Sequence, residues 1–163
     1  MPGARRTRTR RANVDITETT FLPAIIKKLR GLTEKEVHIG AKGDEELAMI
    51  AAIHEYGSMK AGIPARSFIG TGKKKSQAAI SKLVRAGVNK IVQNHETPEG
   101  LHNQIGATGQ ERTIKNFDKI RTPPLSPRYV VRKKGQKTKL LVQEQALRDS
   151  ITFVIVAKRR RRR

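Results

Sequence analysis

His54-Glu55 opens the pattern of a helical zinc site. In that pattern two histidines four residues apart on one helix face hold the metal and the glutamate serves as base. The second histidine belongs at position 58, which is Ser58, so His54 reads as a packed or hydrogen-bonding side chain beside a helix end. His38, His95 and His102 show no ligand spacing. Gly70-Thr71-Gly72-Lys73 invites comparison with a phosphate loop, but that loop needs Ser or Thr after its lysine and Lys74 stands there. The glycines read as turn residues. The chain has no cysteine, which removes thiolate metal sites, cysteine nucleophiles and disulfides. No convergent set of nucleophile, base and ligand emerges. The expectation is a protein that is not an enzyme and has no metal and no cofactor.

The chemistry that remains is electrostatic. Lys and Arg number 35 against 14 acids, a net charge of +21. Residues 1–12 carry Arg5, Arg6, Arg8, Arg10 and Arg11, and the chain closes on Lys158, Arg159, Arg160, Arg161, Arg162 and Arg163. Neither run contains an acid, so removing these five and six cations from +21 leaves +10 for residues 13–157. Residues 60–74 also lack a carboxylate, and Lys60, Arg66, Lys73, Lys74 and the adjoining Lys75 complete the set of candidate contacts. Such a charge attracts polyanions and repels its own kind. The partner is nucleic acid or an acidic protein surface; the other reading of the arms is a pair of solubilising tails, and of 60–74 a solvated basic loop. Aromatics make up only 4% and Trp is absent, so contacts to DNA would go to phosphates, without base stacking or sequence choice.

Several elements must position these residues. Residues 1–13 read as a disordered basic arm, because like charges repel and little there offsets the cost of ordering. A short helix follows from Thr20 to Arg30, with Pro23 in its first turn and Gly31 as its stop. Residues 36–40 alternate as a strand. Asp44 caps a helix that runs to Tyr56 and is apolar around much of its circumference, which predicts burial; Gly57 ends it. After a loop over 58–65 and a short extended piece at 66–69, the strongest helix runs from Lys73 to Asn94, with Ile80, Leu83, Val84, Val88, Ile91 and Val92 as its stripe. Thr97 caps another helix to about Ile120, weakened by Gly100, Gly106 and Gly109. Residues 122–127 form a proline-rich connector, and 128–142 a hairpin or a long basic loop. A helical turn within 143–149 and a strand over 151–157 close the body. The fold class expected is α+β: a small, mostly antiparallel sheet against two or three helices. Residues 14–157 would form one domain between the arm at 1–13 and the tail at 158–163.

Hydrophobic residues, at 36%, supply a core of Ile, Val, Leu and Ala that is thin for a lone monomer, and packing between subunits would complete it. No apolar run approaches the roughly 20 residues that span a bilayer. The apolar residues between Phe21 and Ile26 are too few for a signal core and are interrupted by Pro23, so a soluble, unsecreted protein with no membrane contact is expected.

Val37-His38-Ile39-Gly40, then the run from Leu47 through His54-Glu55-Tyr56-Gly57, then Ile63-Pro64-Ala65-Arg66-Ser67-Phe68-Ile69 resembles the tail-completion and virion-morphogenesis proteins of tailed phages. Pro124-Leu125-Ser126-Pro127 with Lys133 and Lys134, and the stretch from Ala146 to Phe153, resemble later parts of that family. Glu144-Gln145 stands where the family often has a Thr-Gly pair, and both arms lie outside the shared pattern. The resemblance implies a virion protein of the neck or tail, present in the host cytoplasm during assembly. It implies a homo-oligomeric ring, guessed at six or twelve copies, against portal, connector or tail-tube proteins and packaged double-stranded DNA. Within the block, Gly57 would leave its helix in a left-handed conformation, Pro64 would stiffen the approach to Arg66, and Phe68 would anchor the core. Arg66 itself would be a subunit-interface ion-pair partner or a charge facing the lumen.

Overall fold

The computed structural model describes residues 4–7, 16–132 and 145–158. Its order is β1 (Ala4–Thr7), β2 (Ile16–Thr19), α1 (Leu22–Glu34), β3 (Lys35–Ala41), α2 (Glu45–Tyr56), α3 (Ile69–Val92), α4 (Pro98–Lys119), α5 (Pro127–Arg132), α6 (Ala146–Asp149) and β4 (Ile151–Ala157). The fold is α+β. β3 and β4 pair antiparallel from Lys35↔Ala157 to Ala41↔Ile151, joining the early and late parts of the chain. β1 and β2 form a second antiparallel pair, Ala4↔Thr19 to Thr7↔Ile16, so Ala4–Thr7 is a strand where charge alone predicts disorder. The backbone pairing with β2 supplies what the side chains there do not.

α4 is the element on which the rest is laid. One side of it crosses the β3–β4 sheet and another receives α3. Its glycines, unfavourable for a helix taken alone, are what allow this. A Cβ on Gly106 would sit 2.2 Å from the Phe153 ring, and one on Gly109 would sit 2.3 Å from Ile39 Cδ1. α3 meets α4 through glycines of its own, Gly72 against Thr113 and Gly87 against Leu101. Helix backbones thus approach the sheet and each other more closely than side chains would permit. Thr97 caps α4 by accepting from the Gly100 N–H at 3.1 Å, and Pro98 takes the first turn, where its missing N–H is harmless.

The core joins both ends of the domain: Phe68, Phe117, Ile151, Leu147 and Ala51, with Leu47, Ile69, Ile114 and Ile120 at its margin. Phe68 and Phe117 meet edge to face, centroids 5.2 Å apart and planes at 89°. Phe68 is fully buried, the anchor expected of it. Arg148 holds α6 to the end of α4 through a two-pronged pair with Asp118 at 3.0 and 3.1 Å.

Several elements differ from the sequence reading. α1 continues three residues past Gly31, because that glycine lies against Pro98 (a Cβ there would be 3.1 Å from its ring) and turns no corner. Ile69, expected as extended, already begins α3. Tyr129, Val130 and Val131 are helical, not strand or loop: Pro127 starts α5 and the Ser126 carbonyl accepts from Tyr129 and Val130 at 3.0 Å. Leu140, Leu141 and Val142, the other half of the expected hairpin, lie outside the described residues. α2 is not well buried. Only Ala51 on it is buried, while Met49 is 58% and Tyr56 82% exposed. Gln145, described next to the Glu144-Gln145 departure, adopts φ +60, the left-handed region that favours glycine.

The glycine contacts generate a test. Gly106→Ala should lower stability by about 1–3 kcal/mol, read as a denaturant midpoint, despite alanine's better helix propensity. Adding Phe153→Leu should recover part of the loss.

Candidate functional site

The residues that carry the resemblance converge on the junction between α2 and α3. Asp44 starts α2, its carboxylate accepting from the Leu47 N–H at 2.8 Å, and Glu45 and Glu46 occupy the first turn where the helix dipole favours them. Gly57 ends the helix with φ +79, and a Cβ there would lie 2.8 Å from the Ala65 nitrogen. The loop closes on itself through Ser58 and Ile63, which exchange backbone hydrogen bonds at 2.8 and 2.9 Å. Pro64 lies in its exposed return arm.

Glu55 ties the two helices together. Its carboxylate accepts from the backbone N–H groups of Phe68, Ile69 and Gly70, each at 2.9 Å, and from the Ser67 hydroxyl at 2.6 Å. α3 therefore takes its capping charge from the last turn of α2, across the loop, because no side chain at its own start does so. Gly70 must be small, since a Cβ there would be 3.0 Å from Glu55 Oε1. Burial pushes the Glu55 carboxyl up, but the Ser67 hydroxyl and the three backbone donors outweigh it and hold the carboxyl below its ordinary range.

Arg66 reaches the other way. Its backbone N–H donates to the His54 carbonyl at 2.7 Å, its Nε to the Pro123 carbonyl and its Nη2 to the Pro124 carbonyl, both at 2.9 Å. It is only 5% exposed. The sequence reading of Arg66 as a contact to DNA, to a neighbouring subunit or to a lumen is therefore corrected: its planar fork is spent on two carbonyls of the proline connector. His54 is half-buried beside it, with Nδ1 lacking a protein partner, and burial followed by the Arg66 charge lowers its pKa. Asn116 completes the junction from α4, donating to the Phe68 carbonyl at 3.0 Å and the Thr71 hydroxyl at 2.7 Å.

The remaining candidate contacts are scattered. Lys60 is exposed on the loop, and Lys73 and Lys74 are exposed on α3. Lys75 is turned to Asn116 Oδ1 at 2.6 Å. Arg5 and Arg6 lie in β1, Lys158 pairs with Glu36 at 4.0 Å, and Arg8, Arg10, Arg11 and Arg159 to Arg163 lie outside the described residues, as do Lys133 and Lys134. Among the described residues no three His, Asp or Glu side chains gather into a cation site. What the sequence reading missed is the extent of the basic surface. Residues 56–95 contain no carboxylate at all, so α3 carries Lys73, Lys74, Lys75, Lys82, Arg85 and Lys90 with no acid among them, all exposed. The signal was available, but Lys82, Arg85 and Lys90 passed as the ordinary polar face of an amphipathic helix.

No known protein family, curated protein or solved structure matches the chain.

The junction has a pH signature. Both His54 and Glu55 have folded pKa values below their ordinary ones, so the unfolded chain binds more protons and stability rises with pH. Stability should begin to fall as pH drops below 6.5, the ordinary histidine value, and fall again below 4.5, the ordinary glutamate value. Denaturant titrations across this range should show the upper loss disappear in His54→Gln. Glu55→Gln should flatten the lower one and cost about 2–3 kcal/mol at neutral pH.

Proposed function

We propose that this chain is a structural virion subunit of the phage head–tail junction, a neck or tail-completion component that works as a ring of copies. The observation that carries the proposal is the imbalance between core and surface. Among the described residues seven hydrophobic side chains are buried, whereas Phe21 just before α1, Leu22 and Ile26 on it, Met49 and Tyr56 on α2, and Met59 beyond it are each more than half exposed. A chain that leaves this much apolar surface uncovered gains by packing against other subunits. The resemblance supplies the setting. Its signature residues build one rigid junction, with Glu55 holding Ser67 through Gly70 and Arg66 holding the Pro-Pro connector. Gln145 takes a glycine-like φ where the family often has Thr-Gly. In this reading the domain builds the ring against portal, connector or tail-tube proteins, and the arginine arms contact packaged DNA or acidic faces of those neighbours.

A second reading is a free-standing, sequence-independent nucleic-acid-binding protein, favoured by the six cations and no acids of α3. The two differ in what an experiment finds. Reconstruction of the particle should place the chain around the axis where head and tail meet, and removing residues 1–13 and 158–163 should reduce joining or DNA retention. Absence from both the particle and its assembly intermediates, with tight and steeply salt-dependent duplex binding by the purified chain, would favour the second reading.

A further inference from the structure

α2 is apolar around much of its circumference, yet buries one residue. A helix of that composition belongs between two layers, and this one has a single layer beneath it. The side facing away from the core carries Glu45, Met49, Ala52 and Tyr56, spaced i, i+4, i+7 and i+11, so they form one stripe along its length. All four are exposed, and Met59 continues the stripe beyond Gly57 with complete exposure. α2 contains no Lys or Arg, and no ion pair among the described residues reaches Glu45 or Glu46. By contrast Glu36, Glu99, Glu111, Asp118 and Asp149 each have a basic partner within the chain.

The outer face of α3 has the complementary pattern at the same spacing. Lys74, Ala78, Ser81 and Arg85 fall at i, i+4, i+7 and i+11, all exposed, with small side chains between two cations. Each stripe spans about 16 Å, at 1.5 Å per residue. Laid side by side in either direction, Glu45 meets a cation of α3 and the large Met49 and Tyr56 side chains bracket the small Ala78 and Ser81. Two copies of a chain charged +21 repel unless acids of one face cations of the other. A symmetric α2–α2 contact would leave Glu45 and Glu46 of both copies without a cation, because α2 carries no Lys or Arg. The contact is therefore heterologous, of the kind that closes into rings.

We infer that the Glu45–Met49–Ala52–Tyr56 face of α2 docks on the Lys74–Ala78–Ser81–Arg85 face of α3 of a second copy. This rests on the proposed assembly role and names the surfaces that would perform it. The test is self-association of the full, nuclease-treated chain by sedimentation, with circular dichroism confirming that each variant folds. Glu45→Lys with Glu46→Lys should weaken association about tenfold, as should Lys74→Glu with Arg85→Glu. The four changes combined in one chain should restore it, because the swapped charges again face one another. Met49→Ser with Tyr56→Ser should weaken it at least as much, about tenfold or more. A chain that stays monomeric at every concentration overturns the inference. So does association that ignores these variants, which would leave the assembly role standing on another face, or charge swaps that fail to rescue each other. If Lys74→Glu with Arg85→Glu instead weakens duplex DNA binding while Glu45→Lys with Glu46→Lys changes nothing, the α3 strip belongs to nucleic acid and the self-contact is wrong.

Discussion

The Glu55 carboxylate is the interaction on which the rest of the domain depends. α3 begins without a capping side chain of its own and with no acid in its first turn, so its free N–H groups and positive dipole end need compensation from elsewhere. Glu55 provides it from the last turn of α2. That placement ties the end of α2 to the first turn of α3, next to the point where Phe68 enters the core. Asn116 reads the same turn from the opposite side through the Phe68 carbonyl and the Thr71 hydroxyl.

Arg66 applies a second constraint in the same place. Between the His54 carbonyl and the two proline carbonyls it joins the end of α2 to the connector that follows α4. A buried guanidinium is tolerable there because fixed carbonyls accept from its Nε and Nη2. The junction thus uses one half-buried anion and one buried cation that do not pair with each other. Each is neutralised by backbone dipoles, so the local geometry does not rely on a salt bridge that ionic strength would weaken.

Charge is partitioned unevenly along the chain. Acids gather at the start of α2 (Asp44, Glu45 and Glu46) and recur along α4 (Glu99, Glu111 and Asp118), and none occurs from residue 56 through 95. The consequence is a basic α3 and an acidic-tipped, partly apolar exposed face on α2, the two helices being joined through Glu55. The core is small because much of the apolar surface is turned outward.

A good deal was legible from residue types alone. Asp44 as a cap, Gly57 as a stop, Thr97-Pro98 as a helix start, and the strands at 36–40 and 151–157 are local signals, set by hydrogen-bonding groups and backbone freedom within a few residues. Phe68 as a core anchor came instead from the resemblance to the phage family, and the structure buries it fully. The rest required contacts distant in sequence. Gly31 and Gly106 look like helix breakers until Pro98 and Phe153 are seen against them. Arg66 looks like a surface cation until the Pro123 and Pro124 carbonyls, 57 and 58 residues away, are seen to hold it. Likewise α2 looks like a buried helix, because its composition records that its outer face is apolar but not whether its own chain covers that face. The sequence by itself determined most of the helices, the strands at 36–40 and 151–157 and the charge; the tertiary structure alone decided which polar groups were spent inside and which apolar surfaces stayed exposed. Burial is a property of what packs against a residue, and that neighbour is rarely close in the chain.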